Sequence, residues 1–174
     1  MLDRFLETAA RSMLVIAAII GFALAFIVVA DVIGRVAFNR PLKGTPELVS
    51  SAIVIICWLQ ATYAIRSGGM INVDAFTSVM PYRVQSLLGI VGSILGAGLF
   101  GLICYASIDQ AGYAWSSGEY DGEGALRVPA WPARFVLVLG AGLATVSYIL
   151  LAVRQAQAFA RGEPPLTVSS THAT

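Results

Sequence analysis

The chain has 174 residues, of which 57% are hydrophobic and only 12% charged, and its mean hydropathy is +0.79. A soluble domain carries about 25% charged residues, so an ordinary water-facing surface is excluded and lipid is implied as the solvent. Eleven Lys and Arg against ten Asp and Glu leave a net charge of +1, which offers no basic footprint for nucleic acid.

Residues 1–11 put Leu2, Phe5, Leu6 and Ala9 on one helical face, with Asp3, Arg4, Glu7 and Arg11 around the rest. That pattern suits a short amphipathic segment lying along the headgroup layer, or the first turns of the helix that follows. Four uncharged runs come next, 12–30, 48–65, 84–108 and 135–153. Each has the roughly 18 to 25 residues needed to cross about 30 Å of hydrocarbon. The fold class is therefore an all-α integral membrane protein with four transmembrane helices and short interfacial helical segments. A membrane domain over 12–160 is expected, with spans at about 12–36, 46–66, 82–110 and 131–154. The first run exceeds a signal-peptide core and its lead-in carries acids as well as bases, so it reads as a retained helix.

The first span ends in Asp31 and Arg35, four apart and acid first, an arrangement that pairs well on a helix. Phe38-Asn39-Arg40-Pro41 reads as a turn, because Pro41 pushes Arg40 out of helical geometry. Thr45 is placed to cap the second helix, with Pro46 at its first position and Glu47 in its first turn, where the helix dipole favours an anion. That helix passes Trp58 and ends near Arg66, with Gly68-Gly69 as its stop. In the next connection, Val73, Phe76 and Val79 are spaced for a turn or two at the interface.

The third span is rich in small residues. Gly89, Ser93, Ala97 and Gly101 recur every fourth position, with Gly92 and Gly96 beside them. Such lines let backbones approach closely, and packing of that kind drives helix association in lipid. From Asp109 to Arg134 the chain turns polar, with Tyr113, Trp115, Tyr120 and Trp131 forming an aromatic belt and Glu119, Asp121 and Glu123 a local acidic run. Gly118, Gly122 and Gly124 argue against continuous helix there. Pro129 and Pro132 flank the start of the fourth span, whose Gly140 and Ala144 are expected to pack on the glycine lines of the third. The tail 161–174 is polar, proline-bearing and without period, and disorder is expected.

Chemistry is scarce. No Asp, Glu, Lys, Arg or His falls near the middle of a span, where a charge is costly and kept for a purpose. The single histidine, His172, lies in the tail. Paired haem ligands and Ser–His or HExxH constellations are not available, so no catalytic, cofactor or metal site is expected. Cys57 and Cys104 read as small buried hydrophobes. Asp31, Arg35, Glu47 and Arg66 then have two readings. One is interfacial anchoring, each head group reaching for water. The other has Asp31, Arg35 and Glu47 locking helix one to helix two or to a partner, so that loss of Arg35 abolishes assembly. Trp58, too central for a belt, is lipid-facing bulk or a packing anchor. Arg and Lys divide six to five between the two sides, a tie that leaves orientation open.

Several short motifs occur in a fixed order: Asp31-Val32-x-x-Arg35, Phe38-Asn39-x-Pro41-Leu42, Glu47-Leu48, Ala64-Ile65-Arg66-x-Gly68, Ile71-x-Val73-Asp74, and Arg127-Val128-Pro129-Ala130-Trp131-Pro132. In these the chain resembles the small membrane subunit of tripartite ATP-independent periplasmic (TRAP) transporters, the DctQ type. It departs at Met70, where that family often has histidine, and at Gly44, where tryptophan is frequent. The resemblance implies pairing with a large sodium-coupled elevator permease, and a periplasmic binding protein that delivers an organic acid. It implies a scaffolding role in the bacterial inner membrane, with both termini cytoplasmic and residues 37–46 and 111–130 periplasmic. Glu119, Asp121 and Glu123 would then face the binding protein. Two competing classes are a stand-alone four-span carrier or channel and an anchor subunit of another membrane complex. Co-purification separates all three.

Overall fold

A computed structural model describes residues 2–40, 42, 44–67, 81–121 and 128–161, with side chains excepted at 2–5, 82 and 121. Four helices carry the fold: α1 (Leu2–Phe38), α2 (Thr45–Arg66), α3 (Tyr82–Ser117) and α4 (Trp131–Arg161). All four are long and apolar enough to cross a membrane. Between α3 and α4, β1 (Tyr120–Asp121) pairs antiparallel with β2 (Val128–Pro129), Tyr120 opposite Pro129. The helices pack in the order α1, α2, α4, α3, so α2 and α4 are central and α1 and α3 flank them.

The boundaries differ from the sequence reading where local chemistry outweighs the charge pattern. Helix α1 runs without a break through residues 1–11 as far as they are described, making that segment its first turns. It ends where Asn39 takes a left-handed φ of 51° and the Arg40 amide donates to the Gly34 carbonyl at 2.9 Å. A Cβ on Gly34 would lie 2.8 Å from the Arg40 oxygen, so this fold-back needs glycine there. Thr45 is the first helical residue and not the cap. Gly44, at φ 86°, holds the cap position, and the Thr45 hydroxyl donates to the Leu42 carbonyl at 3.2 Å. Helix α2 stops at Arg66, ahead of Gly68-Gly69, which lie outside the described residues, as does the expected interfacial turn over 73–79.

Helix α3 continues two turns past the expected end near 110, through Asp109 to Ser117. Gly118 then closes it in the left-handed region at φ 61°. Packing carries the run Asp109–Ser117, whose Ala111 and Ala114 are buried, because tertiary contacts and not propensity supply most of a helix's stability; Gly122 and Gly124 lie outside the described residues. Helix α4 reaches Arg161, two turns beyond the expected Arg154. The tail beyond it lies outside the described residues.

Small residues dominate what is buried: Ala17, Ala114, Ala141 and Ala144 have essentially no accessible surface. Two backbones approach most closely where Gly140 of α4 meets α2. A Cβ there would stand 2.5 Å from the Trp58 carbonyl oxygen. This overturns the expectation that Gly140 serves the α3 contact.

Candidate functional site

The charged band at one end of the first hairpin is built around Asp31. Its side chain is buried, 8% exposed, on the α1 face that meets α2. One carboxylate oxygen accepts from Arg35 Nη2 at 2.9 Å, and the other accepts from the backbone amide of Leu42 at 2.8 Å. Asp31 therefore holds the connection that leads into α2, giving the part-buried Leu42 amide an acceptor there. The Arg35 side chain is 62% exposed, so it neutralises the carboxylate from the solvent side without being sealed in.

Glu47 does not join this arrangement. It sits in the first turn of α2, half-buried, and among the described residues its Oε2 is buried without a hydrogen-bond partner. The uncapped amides of that first turn supply partial positive charge. Arg66, half-buried, ends α2 at the opposite end of the span. The expected three-residue network is thus a clasp of Asp31, Arg35 and the Leu42 backbone, with Glu47 apart.

Trp58 is a packing residue within the chain. Its ring meets Phe100 of α3 edge-on at 6.1 Å, and Phe100 in turn lies 5.6 Å from Tyr148 of α4. Three helices meet through these rings. Thr62, fully buried, turns its hydroxyl toward the Gly140 carbonyl at 3.5 Å.

The small-residue positions of α3 separate into two groups. Gly89 lies against Gln155, Gly96 against the ring of Tyr148, and Gly101 against Thr145, all on α4. Ser93, buried in the same seam, donates to Gln155 Oε1 at 2.9 Å. Ala97 is half-buried. Gly92 faces open space among the described residues, where an added Cβ would meet nothing within 4 Å. Sequence reasoning missed the Ser93–Gln155 bond. The signal was available, since polar groups inside apolar helices pair across them.

At the far end of α3, Glu119 accepts from Arg134 Nη2 at 3.0 Å, and Arg134 also reaches the Gln110 carbonyl at 3.4 Å. The Ala130 amide bonds the Glu119 carbonyl at 3.0 Å. Glu119 therefore fastens the β-hairpin to the start of α4, and its carboxylate is not a free acidic group. The side chain of Asp121 and all of Glu123 lie outside the described residues. Trp115, Trp131 and Phe135 form an edge-to-face cluster beside this ion pair, with centroids 5.1 to 6.3 Å apart.

Among the described residues no group of three or more His, Cys, Asp or Glu is gathered where it could hold a metal ion. What the polar side chains do here is fix connections and helix seams. The family model for the DctQ component of tripartite ATP-independent periplasmic transporters matches residues 24–158. The chain belongs to this family. The DctQ match begins in the first span and ends within α4, so it takes in the Asp31 clasp, the Trp58–Gly140 contact and the Glu119–Arg134 pair. It makes the protein a multi-pass membrane protein and the small permease component of a TRAP transporter. No curated protein matches the chain.

Proposed function

We propose that this small permease component is a static brace for the large, sodium-coupled elevator subunit of its transporter, and that it helps dock the periplasmic binding protein during organic-acid uptake. The DctQ match over 24–158 carries the reading. The geometry supports it in kind: Asp31, Glu119, Ser93 and Thr62 are engaged in holding backbone and helix seams. Both flanking helices keep apolar faces, among them Phe22 and Phe26 on α1 and Leu99 and Leu102 on α3, for lipid or for a larger membrane partner. The site is the bacterial inner membrane, with both termini cytoplasmic and the Asp31 and Glu119 ends periplasmic.

Purification of the tagged chain from its native membrane is the test. Recovery of a many-span permease in equal amount supports the proposal. Recovery alone, or with an unrelated enzyme, overturns it. Docking is tested separately by reversing Asp121 and Glu123 while leaving Glu119 in place, since Glu119→Lys would break the pair with Arg134. Slower uptake with the membrane complex intact is expected. Unchanged uptake removes these carboxylates from the docking surface.

A further inference from the structure

The charged rims of the two hairpins do not lie at the same height. In the first hairpin, Gly21 of α1 faces Ile56 of α2, and Arg11 and Arg66 each lie ten residues from that contact. They form one level rim. The opposite rim is set by Asp31 and Glu47, so this hairpin offers lipid a band about 30 Å tall at 1.5 Å per residue.

The second hairpin is joined to the first where Trp58 meets Gly140. Because consecutive spans cross in opposite directions, α2 and α4 run the same way. Arg66 lies eight residues past Trp58, and Tyr148 lies eight past Gly140. Tyr148 packs on Gly96, so Gly96 of α3 stands at the height of the Arg11–Arg66 rim. Yet α3 carries no charge from there back to Arg83. Thirteen residues, about 20 Å of helix, continue past the rim. Its outer surface there is apolar, with Val91 51% and Leu87 50% exposed.

Tilting α3 alone cannot level this. It is seamed to α4 from Gly89–Gln155 to Gln110–Arg134, so the two tilt together. Tilt enough to fit α3 would leave α4, with twenty residues from Arg134 to Arg154, too short for the layer.

We propose that the lipid boundary around this protein is stepped. On the α3 flank the hydrocarbon layer reaches one to two helical turns, about 5–11 Å, farther toward the Arg11–Arg66 end than it does on the α1 flank, up to the level of Arg154 on α4. Acyl chains cover Leu95 and Val91, at a height where α1 already presents Glu7 to water. The occupant is lipid because the uncovered stretch is continuous with the transmembrane run of α3 and has no charge to interrupt it.

The test compares two positions at matched height. Single-cysteine variants Glu7→Cys and Val91→Cys, in the full chain carrying Cys57→Ala and Cys104→Ala, are spin-labelled in nanodiscs of bacterial phospholipid. Accessibility to oxygen and to a water-soluble nickel complex is then measured. Ile19→Cys, exposed at mid-span on α1, gives the hydrocarbon reference, and Ser117→Cys the aqueous one. The step requires the label at 91 to match that at 19, with oxygen favoured several-fold over nickel, while the label at 7 favours nickel. Equal readings at 7 and 91, whether both wet or both in hydrocarbon, overturn it. A label at 91 shielded from both reagents also overturns it, because protein would then be the cover.

Discussion

Asp31 and Arg35 look like equal partners in the sequence, and the fold makes them unequal. The carboxylate is buried and holds two groups, one of them a backbone amide eleven residues on. The guanidinium is mostly in solvent and holds one. Exposed pairs within a helix contribute little, whereas a part-buried amide stripped of its acceptor incurs a desolvation cost. Asp31→Ala is therefore expected to lower the melting temperature of the purified protein clearly more than Arg35→Ala does, and to open the 39–44 connection to protease. Equal effects of the two substitutions on both readouts would remove the clasp. The four-residue spacing was legible in the sequence. The Leu42 amide was not, because its approach depends on the left-handed turn at Asn39 and the fold-back onto Gly34.

At the scale of helices, glycine spacing announced close packing on α3 and said less about which glycines carry it. Spacing fixes which side of a helix a residue lies on. The neighbour on that side is set by the packing order, which no local pattern encodes. Gly140 is the clear case: expected against α3, it admits the α2 backbone at Trp58. Gly140→Ala forces two backbones apart, and a loss of about 1–3 kcal/mol is expected from overpacking. Gly96→Ala meets only the Tyr148 ring, a side chain that can turn aside, and should cost less. Gly92→Ala meets nothing and should be neutral or stabilising by up to about 1 kcal/mol through helix propensity. Thermal melts of the three variants check that order, and a Gly92 variant as damaged as the Gly140 variant would contradict it. Extra length in α3 and α4 was hidden for a related reason. Charges mark where lipid ends, and helices need not end there.

For the whole molecule, class and span number followed from length without charge, four times over. The DctQ match then supplied the identity that patterning could not choose among a subunit, a carrier and an anchor. The site was only half readable. Asp31 and Trp58 could be singled out because each is the odd residue in its surroundings, while the Glu119 carboxylate looked free until Arg134 was found across the hairpin. Glu119→Gln should loosen the hairpin, shown by faster hydrogen exchange at the Ala130 amide, without reducing recovery of the membrane complex. Exchange left unchanged would show the pair to be incidental.

The packing order α1, α2, α4, α3 has one more outcome. The helices make an open fence, bent where Trp58 of α2 reaches Phe100 of α3, and among the described residues no seam joins α3 back to α1. Every span meets the outside along much of its length, so a solute crossing here would travel along a wall rather than through a tube. A fence of this kind divides one body from another, and it does so best when something larger leans on it.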